Sequence, residues 1–309
     1  MHWFDRPELV SQFPFPYRAL ARYCRLAVNR LTGTVRGGSF LQRTIIRLSS
    51  TLRLESRAHI QLKNASAYLD LRDPRIWFVM DEVEGESSDH AVMRAFLSPG
   101  DTFVDIGANQ GGFSIFASGV VGARGLVAAI EPQPRFARLI ERSLQANDAS
   151  PWQVHSFACG DVEGNQTLYI PRWSSGSASV FSGYVDGRVG AITVPTKLLD
   201  RAVKWEEFPG DVFLKIDVEG SELAFVRGAR RMIAARHPVI LFEMNPTSAR
   251  AAGWEPRELL MELGSLGYDR ACPVDEFAAW RVLEDIDPHR QQNIVTVPAG
   301  RRVLETTRS

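Results

Sequence analysis

Asp101–Gly112, DTFVDIGANQGG, decides the reading of this chain, because an apolar run breaks there into glycines and small polar residues. The stretch reads as strand, tight turn and helix. Val104 and Ile106 suit a strand buried on both faces, while Gly107, Gly111 and Gly112 permit a sharp turn and close approach of the backbone to a ligand. Phe113, Phe116 and Ala117 then take up helical spacing. A helix starting at this turn aims free amides and its positive dipole end at an anion or carboxylate, a geometry that nucleotide-like cofactors exploit.

The spacing argues against a dinucleotide fingerprint. G-x-G-x-x-G needs a middle glycine, and here Gly107 is followed by Ala108, Asn109, Gln110 and only then Gly111 and Gly112. Asp105 places a carboxylate at the strand end, where it would repel a diphosphate but could hold an ammonium group. A cofactor with an amino acid tail fits better. A second apolar run, GLVAAIEP, ends at Glu131, where an acid reads ribose hydroxyls in doubly wound folds. Both acids are expected to face one crevice.

Working outward, strand and helix alternate. The segment His59–Asp70 reads as a strand or hairpin, Asp81–Phe96 as a helix flanking the glycine turn, and QPRFARLIERSLQAN after Glu131 as an amphipathic helix. WQVHSFAC reads as a third strand, QTLYIP as a hairpin arm, and Arg172–Arg188, rich in serine and glycine, as a mobile loop. DVFLKIDVEG reads as a fourth strand running directly into a helix that carries Leu223, Val226, Ala229 and Ile233. PVILFEMNP is a fifth strand; a helix around Glu255–Leu266 and two strands, GYDRACPV and QNIVTVP, close enough to pair antiparallel, complete the pattern. It predicts an α/β fold: a doubly wound, mostly parallel seven-stranded sheet with helices on both faces and ligands at the strands' carboxyl ends.

The chain's 309 residues, 45% hydrophobic, suffice for one large domain with an appendage. Three scattered cysteines, Cys24, Cys159 and Cys272, suggest neither a disulfide framework nor a cysteine metal site, so a reducing cytoplasm is the default. No apolar run approaches the roughly 20 residues that span a bilayer, and the first ten residues lack signal-peptide order. Net charge is zero, yet residues 1–60 hold ten arginines and three acids, +7 balanced by −7 elsewhere. Within this front end, assigned to residues 1–58 with the main domain at 59–309, PYRALARYCRLAVNRL (16–31) and FLQRTIIRLSS (40–50) read as basic amphipathic helices. Two readings stand: packing or self-association as a homo-oligomer, and peripheral docking of residues 16–50 onto an anionic membrane face or acidic partner. No nucleic-acid-reading motif accompanies the arginines.

Charged residues that break the apolar pattern fall at strand ends: Asp105, Glu131, Asp161, Asp217, Glu219 and Glu243. Lys215, Asp217 and Glu219 share a parity, so extended geometry continuing to the end of the fourth strand would send them to one side. Carboxylates there could act as general base, as could Lys215 if burial lowered its pKa. Asp217, Glu219 and Glu243 could alternatively hold Mg²⁺ or Mn²⁺. His155, inside a strand, and His237, beside a helix-ending proline, read as structural.

FVDIGANQGGFS, AIEP, FACGDVEG, LKIDVEGSELAFVRGA and VILFEMNP, in that order, resemble the FkbM-type family of S-adenosylmethionine-dependent methyltransferases, with the class I methyltransferase fold. The resemblance spans roughly residues 60–300 and leaves the front end unmatched. It implies that Asp105, Gly107, Asn109 and Gly111, with Ala108 in the same turn, line the methionine part of S-adenosylmethionine. It further implies that Glu131 binds the ribose, that Ala158 to Asp161 flank the adenine, and that Lys215, Asp217 and Glu219 lie on the methyl-transfer side. Many relatives methylate hydroxyl oxygens on sugars, glycolipids or natural products, which makes O-methylation of a hydroxylated small molecule or glycan the expectation. A nicotinamide-dependent oxidoreductase and a non-catalytic cofactor-binding module are the alternatives.

Overall fold

The computed structural model of the protein describes residues 7–13, 57–71, 73, 76–171, 175–183 and 189–303. The basic helices expected at 16–31 and 40–50 lie outside the described residues, as do 172–174 and 184–188 of the expected loop. No described helix is long and apolar enough to cross a membrane.

After a single helical turn at Pro7–Val10 comes a hairpin, β1 (Arg57–Gln61) and β2 (Ser66–Asp70), followed by α1 (Ile76–Glu84) and α2 (Ser88–Phe96). The expected single helix over 81–96 is therefore two. Gly85 breaks it at φ +75°, and a Cβ there would come within 2.4 Å of the Phe116 ring.

The central sheet takes β3 (Thr102–Ile106), β4 (Leu126–Ile130) and β5 (Trp152–His155) outward to one side. The chain then crosses back to β9 (Val212–Ile216) and β10 (Val239–Met244) on the other. These five strands are parallel; β11 (Tyr268–Pro273) and β13 (Gln292–Pro298) extend the sheet antiparallel, with the two-residue β12 (Arg281–Val282) at the edge. The sheet thus has eight strands, seven of them expected. Every residue of β3, β4 and β9 is buried, as continuous apolar runs covered on both faces require. Alternate residues feed separate cores. Phe103, Val127 and Phe213 meet α3 (Gly112–Val121) and α4 (Pro134–Asn147). Val104, Ala128 and Leu214 meet α5 (Glu222–Gly228), α6 (Arg230–Arg236) and α8 (Pro256–Ser265), which follows α7 (Pro246–Ala251).

Two expectations divide. WQVHSFAC supplies β5 to the main sheet, but its last residues form β6 (Ala158–Cys159) in a separate small sheet of order β6-β8-β7. There the expected arm is β7 (Gly164–Pro171), and its partner β8 (Val189–Lys197) was not foreseen. In the segment 7–13, Leu9 and Phe13 are buried in the same apolar cluster as Ile60 and Leu69 of the hairpin, and Gln12 Nε2 donates to Gln61 O at 3.0 Å.

Candidate active site

The reversal of strand order between β3 and β9 opens a crevice at their carboxyl ends. Parallel register sets Asp105 beside Lys215 and Ile106 beside Ile216, so the acid of one strand and the cation of the next share a face. The glycine turn follows β3 closely enough that a Cβ on Gly107, at φ +82°, would lie 2.0 Å from the Asp217 carbonyl oxygen. Asn109 also takes a left-handed conformation at φ +52°.

Glu131 ties the turn down. Its Oε2 accepts from Asn109 N and its Oε1 from Gln133 N, both at 2.8 Å. Burial pushes its carboxyl up to about 7, although the two amides pull the other way. Asp105 is buried as well; its Oδ2 accepts from Ser114 Oγ at 2.6 Å, while its Oδ1 accepts no hydrogen bond among the described residues. Burial also raises the pKa of Asp105, against the pull of Lys215.

Lys215 Nζ sits 3.2 Å from Asp217 Oδ2 and 4.6 Å from the Phe113 ring centroid. Burial alone would depress its pKa, but Asp217, Asp105, Glu82 and Asp89 outweigh that effect and hold it above the ordinary lysine value. These neighbours favour its ammonium form, so the lowering by burial that a lysine base would need is not found. The parity argument fails too, because extended geometry ends at Ile216 and Glu219 adopts φ +47°. A tight loop replaces it: Glu222 accepts from Gly220 N at 3.1 Å and Val218 N at 3.3 Å, and Trp254 Nε1 donates to Gly220 O at 2.8 Å. This loop still brings carboxylate oxygens of Asp217, Glu219 and Glu243 within 4.8 Å of one another.

Two chambers meet at this point. One cleft is lined by Asp105, Gly107, Ala108, Asn109, Glu131 and Ala158, all expected, together with Phe157. A second chamber is lined by Phe78, Asp89, Leu241, Glu243 and Asn293. Glu82, Phe113, Lys215 and Asp217 line both and form the partition. Gly111, at φ +84°, shapes the start of α3 without lining the cleft, and Asp161 is exposed outside its wall.

Sequence reasoning missed Glu82, Phe113, Asp89 and Asn293, which reach the site from helices and the far antiparallel strand. It also missed His90, fully buried, with Nδ1 2.6 Å from Ser87 Oγ and its ring stacked on Phe113. Burial holds His90 at about 4, hence neutral. Gly176, Ala178 and Val180, within the expected mobile loop, close one side of the cleft.

The buried, unsatisfied Asp105 Oδ1 and Asn109 Oδ1, beside a glycine turn and an acid at the next strand end, suit a ligand with an ammonium, hydroxyl and amide-like donors. Sheet, turn and switch-point crevice together define a class I S-adenosylmethionine-dependent methyltransferase. The family model for the methyltransferase FkbM domain matches residues 105–270, more than half of the chain, and the protein belongs to that family.

Among solved structures, an FkbM methyltransferase from Methylobacillus flagellatus KT is 17% identical, with TM-score 0.37 over 93% of this chain and 72% of that one. A SAM-dependent methyltransferase from Aquifex aeolicus is 13% identical, with TM-score 0.40 over 73% and 97%. A SAM-dependent O-methyltransferase from Thermotoga maritima is 13% identical, with TM-score 0.37 over 82% of each chain. Such low scores carry no weight for substrate or mechanism. A search of curated proteins finds no match.

Proposed function

We propose that this methyltransferase transfers the methyl group to a hydroxyl oxygen of a sugar, glycolipid or natural product, with the cofactor in the cleft and the acceptor in the second chamber. The observation that carries this reading is the shared partition of Glu82, Phe113, Lys215 and Asp217. Bound S-adenosylmethionine supplies an electrophilic methyl on its sulfonium. Asp105 and the glycine turn hold the cofactor's amino acid end, Glu131 its ribose, and Phe157 with Ala158 its base. The acceptor oxygen forms the new bond to carbon as the carbon–sulfur bond breaks, and much of the rate comes from alignment. The hydroxyl proton passes to a carboxylate, with Asp217 the leading candidate because it alone of the three clustered acids faces both chambers. Lys215 stays protonated and fixes that carboxylate.

The hard oxygen donors of Asp217, Glu219 and Glu243 also suit Mg²⁺ or Mn²⁺, and an ion held there would acidify a bound hydroxyl. Turnover of Asp217→Asn, Glu219→Gln and Glu243→Gln, followed as a methyl-mass gain on candidate hydroxylated acceptors with and without chelator, separates the two routes. A direct base loses roughly 10²-fold in turnover with cofactor affinity unchanged. A metal route is abolished by chelator and restored by added ion. Near-normal turnover in all three variants under both conditions removes the acids from the mechanism.

A further inference from the structure

The segment 175–183 joins two parts of the site that the sequence leaves unconnected. Its backbone is bound to the small sheet: Tyr169 N donates to Ser179 O at 2.8 Å and Ser179 N to Tyr169 O at 3.1 Å. The Ser179 side chain points the other way. Its Oγ donates to Glu219 O at 2.8 Å and accepts from Phe181 N at 3.2 Å, and the residue is 1% exposed. Phe181 lies against Gly220, close enough that a Cβ there would come within 3.2 Å of its ring. Gly176, Ala178 and Val180, interleaved with these anchors, line the same cleft as the glycine turn.

We infer that Ser179 is a positioning residue that fastens this strap over the cofactor and, through the Glu219 carbonyl, fixes the left-handed backbone that presents the Glu219 carboxylate. A serine suits the position because one small hydroxyl can donate to the loop and accept from the strap at once. Loss of that hydroxyl leaves the buried Glu219 carbonyl without this donor and removes the side-chain link between the strap and the loop after β9, while the two backbone bonds to β7 stay. The cofactor should then escape faster while the fold persists. The inference rests on the cleft being the S-adenosylmethionine site, and the experiment separates the two claims.

Full-length wild type, Ser179→Ala, Ser179→Thr and Thr296→Val are loaded with radiolabelled S-adenosylmethionine and chased with unlabelled S-adenosylhomocysteine. Thr296→Val removes a buried hydroxyl bond of similar length, 2.8 Å to Arg270 O, on a distant strand, and so reports general destabilisation. Ser179→Ala should release label about five- to tenfold faster, the equivalent of one buried hydrogen bond. Ser179→Thr, which keeps the hydroxyl, and Thr296→Val should release at the wild-type rate. Equal release by folded Ser179→Ala and wild type overturns the role of Ser179. Equal acceleration in Thr296→Val also overturns it, because the effect is then global. Wild type that retains no label overturns the cofactor assignment and the strap with it. Should Ser179→Ala fail to fold, amide exchange in the wild type decides: saturating S-adenosylmethionine should slow exchange at Tyr169 and Phe181, and unchanged exchange overturns the inference.

Discussion

Glu131 holds a carboxylate where burial resists charge, and this has consequences of opposite sign for the free and the bound protein. With its folded-state pKa at about 7 against an ordinary 4.5, its contribution to stability is full below pH 4.5 and is lost as pH rises through 7. Glu222, also pushed up to about 7 by burial, acts in the same direction. Ribose hydroxyls donating to Glu131 favour the ionised form, so S-adenosylmethionine affinity should rise from pH 5.5 to about 7.5 and then level off. Glu131→Gln should flatten that rise, and Glu131→Ala should weaken binding by about 1–3 kcal/mol. Calorimetry across this range checks it; a flat wild-type profile would sever Glu131 from the ribose. Lys215 acts in the reverse sense, as a buried cation that pulls the carboxyls of Asp105 and Asp89 down against the burial that raises them. Lys215→Met should cost about 3 kcal/mol at pH 7, since removing this cation strands the buried carboxyl of Asp105 and the half-buried one of Asp89. The loss should shrink toward pH 4 as they protonate. Urea melts at both pH values test this, and a pH-independent loss would point to packing alone.

At the scale of elements, the site depends on how closely the β3 turn approaches the end of β9. Gly107→Ala combines a left-handed φ with a Cβ 2.0 Å from a carbonyl oxygen, and should cost at least about 3 kcal/mol and abolish cofactor binding. Gly119→Ala is the natural contrast, lying in the interior of α3 with nothing within 4 Å of its Cβ, and should stabilise by about 1 kcal/mol. If denaturant midpoints show the two variants to be equivalent, the close approach is not what requires glycine at 107. This approach was half legible in the sequence. VDIG and KIDVEG announce buried strands with polar ends, because continuous apolar runs have few other uses. What the sequence does not carry is register, and the pairing of Asp105 with Lys215 is a property of two strands a hundred residues apart. For the same reason β8 went unseen: VGAITVPTK is half exposed, and only β7 beside it makes it a strand. Ser179 was hidden within a serine-rich run because its role depends on a bridge to Tyr169. Phe113 stood in plain view as a helix residue, yet its place beneath Lys215 depends on how α3 packs over β9.

At the scale of the whole molecule, the charge is segregated. Residues 1–60 carry +7 and the remainder −7. Leu9 and Phe13 are buried in the core, and Gln12 is hydrogen-bonded to Gln61, so the described residues on either side of 14–56 meet at the β1–β2 hairpin. Eight of the ten arginines fall within 14–56. Strand β2 of that hairpin is tied to the glycine turn. Gln110, fully buried, accepts from Asp70 N at 2.7 Å and donates to Asp73 Oδ2 at 3.1 Å. An anionic surface engaged there would bring the domain to a lipid-linked acceptor. The test is sedimentation with vesicles of neutral or anionic phospholipid, comparing wild type with a variant in which Arg18, Arg22, Arg25, Arg43 and Arg47 are glutamine. Wild type should pellet with anionic vesicles only, at about 1 kcal/mol per engaged arginine, and release as salt rises, since exposed charges are screened over about 8 Å at physiological ionic strength. The quintuple variant should stay in the supernatant while binding S-adenosylmethionine normally, which shows that the domain is intact. If it pellets as wild type does, or if wild type ignores anionic vesicles at low salt, the arginines serve packing or self-association instead.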